Sequence, residues 1–260
     1  MSNLLYSPAT HSRADLKNLA TPKPQGRFHE PMPFSDYADL VENELDKCGL
    51  QVLDEEFEVT NAGSLFFGAF EVALDNKYLV EADDFRVIVG LRGSHNQSIQ
   101  RGLCIGEQVM VCSNMCFSGS LGTFKTKQTT NIWDRIPALV ADAVNKIPDR
   151  AAETEKRLTE YKSTLLNPTQ GDQFLIELHR RGGLSATQLG VAVKEWDRPS
   201  YDAHAAYNDN TSYDRSAWQL YNACTEALKP TGSRLQSTEV VRARSEIIVD
   251  TLGESLALAA

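Results

Sequence analysis

Residues 93–98 bring hydroxyl, imidazole and amide side chains together between two strand-like segments. His95 lies beside Ser94 and close to Ser98, and Cys112 ends the strand-like run that follows. A hydroxyl or thiol next to an imidazole is the pairing of nucleophilic catalysis, in which the imidazole acts as the base. The catalytic candidates are therefore His95, Cys112 and Ser94. No carboxylate stands beside the histidine to orient it, although the neighbouring Asn96 amide could do so.

A structural role explains the same residues without catalysis. Ser94 and Asn96 have side chains that bond backbone groups of a turn, and His95 would then complete the loop. A cluster of polar groups is costly to bury unless its members bond one another. We expect residues 93–98 to form a sharp connection between two strands of a sheet, with His95 at least partly buried against Asn114. We favour this role over catalysis, so an enzyme is the less favoured class of function.

The stretch from Arg86 to Phe117 resembles the core signature of the phage/plasmid-like protein family, domain of unknown function 932. That family has an apolar strand, then Asn-Ser-His-Asp-Gly, then a strand that ends in Val-Cys-x-Asn. The resemblance spans about residues 33–228 and includes a late helix around Trp218. Its motif residues here are Ser94, His95, Ser98, Cys112, Asn114, Trp218, Tyr221 and Glu226.

The chain departs from the family pattern at four positions. Gly93 stands where relatives carry Asn, Asn96 and Gln97 replace Asp and Gly, and Thr225 replaces Gln. A role that needs a carboxylate beside the histidine is therefore not expected. The resemblance implies an accessory protein of a phage, plasmid or prophage, and it implies no particular biochemical activity.

Composition predicts a soluble cytoplasmic protein, and the resemblance implies that the cell is a bacterial host. The chain has 260 residues, of which 42% are hydrophobic, and no apolar run reaches the roughly 18 residues of a membrane span. Its first thirty residues lack the apolar core of a signal peptide. The five cysteines are odd in number and predict no disulfide framework. Neither zinc ligands nor a glycine-rich phosphate loop is evident, so we predict no metal and no cofactor.

Charge is distributed unevenly along the chain. Residues 85–132 have a net charge of +4 and predict a basic sheet face for nucleic acid, single-stranded DNA above all. Phe117 or Phe124 would stack on a base, whereas ion pairs to the acidic first strand would neutralise this face. The predicted phosphate contacts are Arg86, Arg92, Arg101, Lys125 and Lys127.

Residues 34–84 contain fourteen acidic residues and two lysines, a net charge of −12. An acidic surface of this kind can compete with DNA for a host nuclease, which predicts an anti-defence or regulatory protein that binds a host protein. Nucleic-acid binding is our leading hypothesis. The acidic host-protein binder and an enzyme that uses a Cys/His pair are its alternatives, and the sequence leaves the oligomeric state open.

Hydrophobic periodicity predicts an α+β fold, with a mostly antiparallel central sheet at about residues 50–130, an N-terminal helix and a helical C-terminal half. Ser35 precedes the first helix, and Ser185 with Gln188 forms a capping box for a later one. Pro137 falls in the first turn of a helix capped by Asp134. The predicted domains are a flexible arm at 1–33, a core at 34–166, a helical extension at 167–228, and a linker and helix at 229–260.

Overall fold

The computed structural model describes residues 4–5, 10–60, 62–74, 85–109, 114–116, 124–199, 215–229 and 238–259. It confirms the α+β class with a central antiparallel sheet. In chain order the elements are α1 Arg13–Asn18, α2 Phe34–Lys47, β1 Leu50–Thr60, β2 Leu65–Leu74, β3 Phe85–Ser94, β4 Arg101–Val109, β5 Asn114–Cys116, β6 Phe124–Thr126, α3 Ile132–Val144, α4 Ile147–Ser163, β7 Leu165–Leu166, α5 Pro168–Arg180, α6 Ala186–Asp197, β8 Arg215–Ser216, α7 Ala217–Ala227 and α8 Thr238–Ala259.

The chain divides into two compact units. The ranges of the first unit are Met1–Ala82, Arg86–Gly106 and Ser120–Ala151. The ranges of the second unit are Asp83–Phe85, Glu107–Gly119 and Ala152–Ala260.

The sheet has the strand order β1-β2-β3-β4-β5, and β6 pairs with β4. Each pair of strands with a defined register is antiparallel. On the face that packs against α2, the ring of Phe66 stacks on Phe34 of the helix at 4.8 Å between centroids. Phe57 of β1 also stacks on Phe66. Burial of these rings against the apolar side of α2 forms the core of the first unit.

Two predicted helix starts differ from the structure. Pro33, rather than Ser35, is the N-cap residue of α2, so Ser35 lies buried in the first turn. α3 is capped by Asn131, three residues before the predicted Asp134, and Pro137 therefore lies inside the helix. The prediction that Pro137 occupies the first turn is wrong, because the helix extends further towards the N-terminus than the apolar pattern indicated. Pro137 lacks an N–H, so one hydrogen bond of α3 is lost.

In the second unit, side-chain caps fix where α5, α6 and α7 begin. The predicted capping box of Ser185 and Gln188 is confirmed at α6, and a similar box starts α7 at Ser216. Trp218 and Tyr221 of α7 are fully buried and stack on each other at 5.8 Å. This buried aromatic pair is part of the core of the unit.

The segment predicted as a flexible arm makes specific contacts with the first unit. It contains α1, whose Leu16 is buried. The backbone N–H of His11 donates to the Phe57 carbonyl of β1 at 2.7 Å. Arg13 forms ion pairs with acidic side chains of α2 and β1. The sequence did not indicate these contacts, because the opposite charges are far apart along the chain and adjacent only in the fold.

Candidate functional site

The connection between β3 and β4 is closed by its own side chains. Ser94 Oγ accepts from the Ile99 N–H at 3.0 Å and donates to the Ile99 carbonyl at 2.9 Å. Asn96 Oδ1 accepts from the backbone N–H of Ser98 at 3.0 Å and from its hydroxyl at 2.6 Å. Gln97 has a φ of 62°, in the left-handed region that tight turns require. The Ser94 hydroxyl is therefore engaged in the turn rather than directed at a base.

His95 is a buried member of the core. Its side chain is only 4% exposed, and its ring stacks on Phe34 at 3.8 Å with an interplanar angle of 5°. Nε2 lies 3.1 Å from the Met32 carbonyl, which fixes Nε2 as the protonated nitrogen of the neutral ring. The pKa of His95 is lowered to about 4, mainly by burial and also by the charge of Arg101 and by His29, whereas the bond to Met32 raises it. His95 is therefore neutral at pH 7.

Arg101 does not lie on an exposed basic face, so that predicted phosphate contact is wrong. Its side chain is completely buried on the α2 face of the sheet, opposite Gly93. Nη2 donates to the Met32 carbonyl at 2.6 Å and to Gln128 Oε1 at 2.9 Å. The guanidinium carbon lies 4.9 Å from the centroid of the Tyr37 ring, in cation–π contact.

Burial lowers the pKa of Arg101 to about 10, which leaves the side chain charged at pH 7. Within the described part of the chain no carboxylate pairs with it, and its Nε and Nη1 donate no hydrogen bond. The Met32 carbonyl and two aromatic rings stabilise the charge instead. His95 and Arg101 share the Met32 carbonyl, so the two residues hold the segment before α2 against the sheet.

The other predicted phosphate contacts do not form one open surface. Arg86 pairs with the buried Glu71 of β2 at 2.6 Å. Ile88, between Arg86 and Arg92 on the same side of β3, is fully buried, so this face is covered at its centre. Arg92 lies over Gly102, the register partner of Lys125. The sequence did not reveal this covering, because alternation along a strand assigns faces but not what packs on them.

Lys125 and Lys127 are both exposed, and Lys125 shares the face of Arg92. Phe124 precedes Lys125 in β6 and therefore points to the opposite face. Base stacking by Phe124 next to a phosphate on Lys125 is not supported by this arrangement.

Several predicted site residues fall outside the described residues. Cys112 and Phe117 are among them, as is the side chain of Asn114. A pairing of His95 with Cys112 or Asn114 therefore stays a prediction. Of the late motif, Trp218 and Tyr221 are core residues, and Glu226 forms an ion pair with Lys229 at 2.6 Å. Among the side chains that the structure describes, no group of His, Cys, Asp or Glu could hold a metal ion.

α2 and β1 together present an acidic surface on the first unit. We define the acidic face as the carboxylates that these two elements present on the first unit: Asp36, Asp39, Glu42, Glu44, Asp46, Asp54 and Glu55. Glu56 and Glu58 follow Asp54 at alternate positions along β1, but of these three only Asp54 lines the groove that β1 shares with α2, so Glu56 and Glu58 are not part of the acidic face. Glu56 accepts a hydrogen bond from the backbone of Leu5, and burial raises the pKa of Glu56.

A groove of about 540 Å³ runs beside the acidic face, between α2 and α3. Leu40, Pro137 and Trp133 provide its apolar surface, and the Trp133 side chain is 41% exposed. Asp36, Asp39 and Glu44 of the acidic face form its rim. The sequence showed the acidic composition of this region, but it gave no sign that a tryptophan from residue 133 would lie among these carboxylates.

No protein family, curated protein or solved structure matches this chain. The resemblance to the phage/plasmid-like family therefore stays a prediction. None of the helices that the structure describes is long and apolar enough to cross a membrane.

Proposed function

We propose that this protein is an accessory protein of a mobile genetic element that binds a cationic surface of a host protein through its acidic face. The observation that carries the proposal is the groove between α2 and α3, whose lining combines the exposed Trp133 with three carboxylates and one lysine. A tryptophan in a groove is a typical anchor residue of protein interfaces. The surrounding charges select the partner, because they attract basic surfaces and repel acidic ones.

The charge balance of α2 favours a cationic partner. Among its own exposed side chains only Lys47 offsets the acidic residues, and it pairs with Glu44 at 2.6 Å. An excess of one sign accelerates the encounter with an oppositely charged protein. Proteins that bind DNA carry such basic surfaces, so the acidic face would compete with DNA for them. This supports an anti-defence or regulatory role, while the setting in a mobile element rests on the resemblance of the Ser94–His95 motif.

Charge-neutralising variants test the proposal. We expect wild-type protein to retain a basic host protein in a pull-down at moderate salt. A variant with Asp36→Asn, Asp46→Asn and Asp54→Asn should retain several-fold less of it, since three exposed charges of the acidic face are removed. The matched control makes the same change of charge on the second unit, with Asp172→Asn, Asp197→Asn and Asp250→Asn. Equal retention by both variants would refute the proposal.

Nucleic-acid binding remains a second candidate, supported by one corner of the sheet. Arg92 and Lys125 share a face there, and the exposed Lys127 follows β6. Mobility shifts with single-stranded and double-stranded DNA at low salt should show binding that weakens as salt rises. The pair Lys125→Ala and Lys127→Ala should weaken it, whereas Lys156→Ala in the second unit should not. Absence of a shift at micromolar protein would exclude this candidate.

A further inference from the structure

The acidic face already holds one cationic side chain of its own chain. Arg13 of α1 is inserted between α2 and β1 and is 16% exposed. Its guanidinium forms a two-pronged contact with Glu55, with Nε 3.3 Å from Oε1, and Nη1 contacts both Asp39 and Glu42, the latter at 3.2 Å. Burial alone would lower the pKa of Arg13, but the bonds to Glu55 and Asp39 raise it.

Aromatic rings complete the pocket. The guanidinium carbon of Arg13 lies 5.2 Å from the centroid of Phe57 and 5.4 Å from that of Phe70. A planar cation between carboxylates and ring faces is the environment that suits arginine and not lysine, whose compact charge cannot make the two-pronged contact. We call Asp39, Glu42, Glu55, Phe57 and Phe70 the arginine pocket.

The arginine pocket carries more negative charge than α1 neutralises. Three carboxylates contact Arg13, and the only other cation of α1 that reaches them is Lys17, 3.8 Å from Asp39 and largely exposed. A groove of about 430 Å³ continues from Arg13 along β1, where the apolar Leu53 is 56% exposed. The pocket therefore has charge and space for a longer cationic segment than the one it holds.

The segment that occupies the pocket has little helical stability of its own. α1 has six residues, too few for a helix that is stable by itself. It is attached by the ion pairs and ring contacts of Arg13, by the ion pair of Lys17 with Asp39, by the buried Leu16 and by a backbone bond from His11 to β1. β1 is the terminal strand of the sheet order, and its outer edge is bridged by His11 at Phe57, so a segment that displaces the arm gains access to that edge.

We propose that α1 is an intramolecular occupant of the arginine pocket, and that the host partner displaces it with an arginine-bearing segment of its own. The inference rests on the proposed binding of a cationic host protein, and it adds both the partner's chemistry and the regulation of the site. The partner segment presents an arginine followed three residues later by an apolar residue, as Arg13 and Leu16 do. Release of α1 then limits the affinity of the site.

A peptide of this chain provides the probe. We would measure fluorescence anisotropy of a labelled peptide of residues 10–20 with full-length wild-type protein, with Arg13→Ala and with Arg27→Ala. Arg27 lies on the same N-terminal arm, contacts Phe28 and is exposed, so it is the matched control for loss of one arginine. Arg13→Ala should bind the peptide at least about tenfold more tightly than the other two, since its pocket is no longer occupied.

Two further variants make the result specific. The same peptide with its arginine replaced by alanine should not bind. The double variant Arg13→Ala with Glu55→Gln should lose the gain in affinity while keeping the thermal midpoint of Arg13→Ala. Equal affinity of the peptide for wild-type protein and Arg13→Ala would overturn the inference. So would dimers formed by exchange of α1, seen as a doubled mass of wild-type protein in light scattering.

The failure of this inference differs from the failure of the proposed function. If Arg13→Ala and wild type retain the host protein equally, but neutralising Asp36, Asp46 and Asp54 abolishes retention, the acidic face binds its partner without the arginine pocket. If neither change affects retention, the proposed function itself is wrong.

Discussion

Acid should destabilise the first unit through His95, by an amount that follows from its surroundings. The pKa of His95 is about 4 in the folded protein, against about 6.5 for an unperturbed histidine. A pKa that is lower in the folded state means that the unfolded chain binds the proton first. The contribution of the neutral His95 to the free energy of unfolding is therefore fully present above pH 6.5 and is lost as the pH falls through 4. The folded and unperturbed pKa values of His95 differ by about 2.5, so protonation of this ring can lower the free energy of unfolding by at most about 3 kcal/mol.

The structure explains why the charged ring is disfavoured. A protonated His95 would stack on Phe34 beside the buried, charged Arg101, away from water. His95→Phe keeps the stacked ring and removes the titration. The Met32 carbonyl still accepts from Arg101 in this variant, so the substitution should cost only about 1 kcal/mol at pH 7.

Urea unfolding of wild type and His95→Phe between pH 7.5 and 4.5, followed by circular dichroism, measures the effect. The comparison removes the titration of the carboxylates, which both proteins share. At pH 5 the wild type should have lost about 2 kcal/mol more than the variant, relative to pH 7.5. Parallel losses in the two proteins would show that His95 titrates normally, and the buried, stacked geometry would then be incorrect.

Four other substitutions have expected outcomes. His95→Ala should lower the free energy of unfolding by about 1–3 kcal/mol at pH 7, and an unchanged thermal midpoint with lost biological activity would instead assign His95 a functional role. Gly93→Ala places a Cβ 2.9 Å from Arg101 Nη1 and should destabilise by about 1–3 kcal/mol in urea titrations. Gly190 lies on α6 with open space around it, so Gly190→Ala should stabilise the fold by about 0.5–1 kcal/mol. A stabilising Gly93→Ala together with a destabilising Gly190→Ala would contradict the packing at these two positions. Ser216→Ala removes the cap of α7 and should cost about 1 kcal/mol in thermal melts, whereas no change would mean that the cap contributes nothing.

Local patterns predicted the parts of the fold that neighbouring residues determine. Alternation in Leu53–Val59 indicated β1, and Ser185 with Gln188 predicted the start of α6. The polar elbow was expected between two strands, and Ser94 does bond to the turn as expected. Each of these features depends on contacts within a few residues of the chain.

Contacts between distant residues were not predictable in the same way. Arg101 belonged to a basic stretch by sequence, but its position in β4 turns it towards α2 and buries it. Arg13 belonged to an expected flexible arm, yet its partners Asp39 and Glu55 come from elements far along the chain. The groove at Trp133 likewise exists only because α3 packs beside α2. Sequence periodicity shows which side chains share a face of an element, and packing decides what that face meets.

Site-specific photocrosslinking from the groove tests the central claim most directly. Full-length protein with the photoreactive p-benzoylphenylalanine in place of Trp133 would be illuminated in host lysate, with the exposed Val240 position of α8 as control. The proposed function predicts an adduct with a basic host protein from position 133 alone, lost at about 1 M salt, where charge attraction is screened within about 3 Å. It also predicts loss of that adduct when Asp36, Asp46 and Asp54 are neutralised. No adduct from position 133, or equal adducts from both positions, would contradict binding at the acidic face.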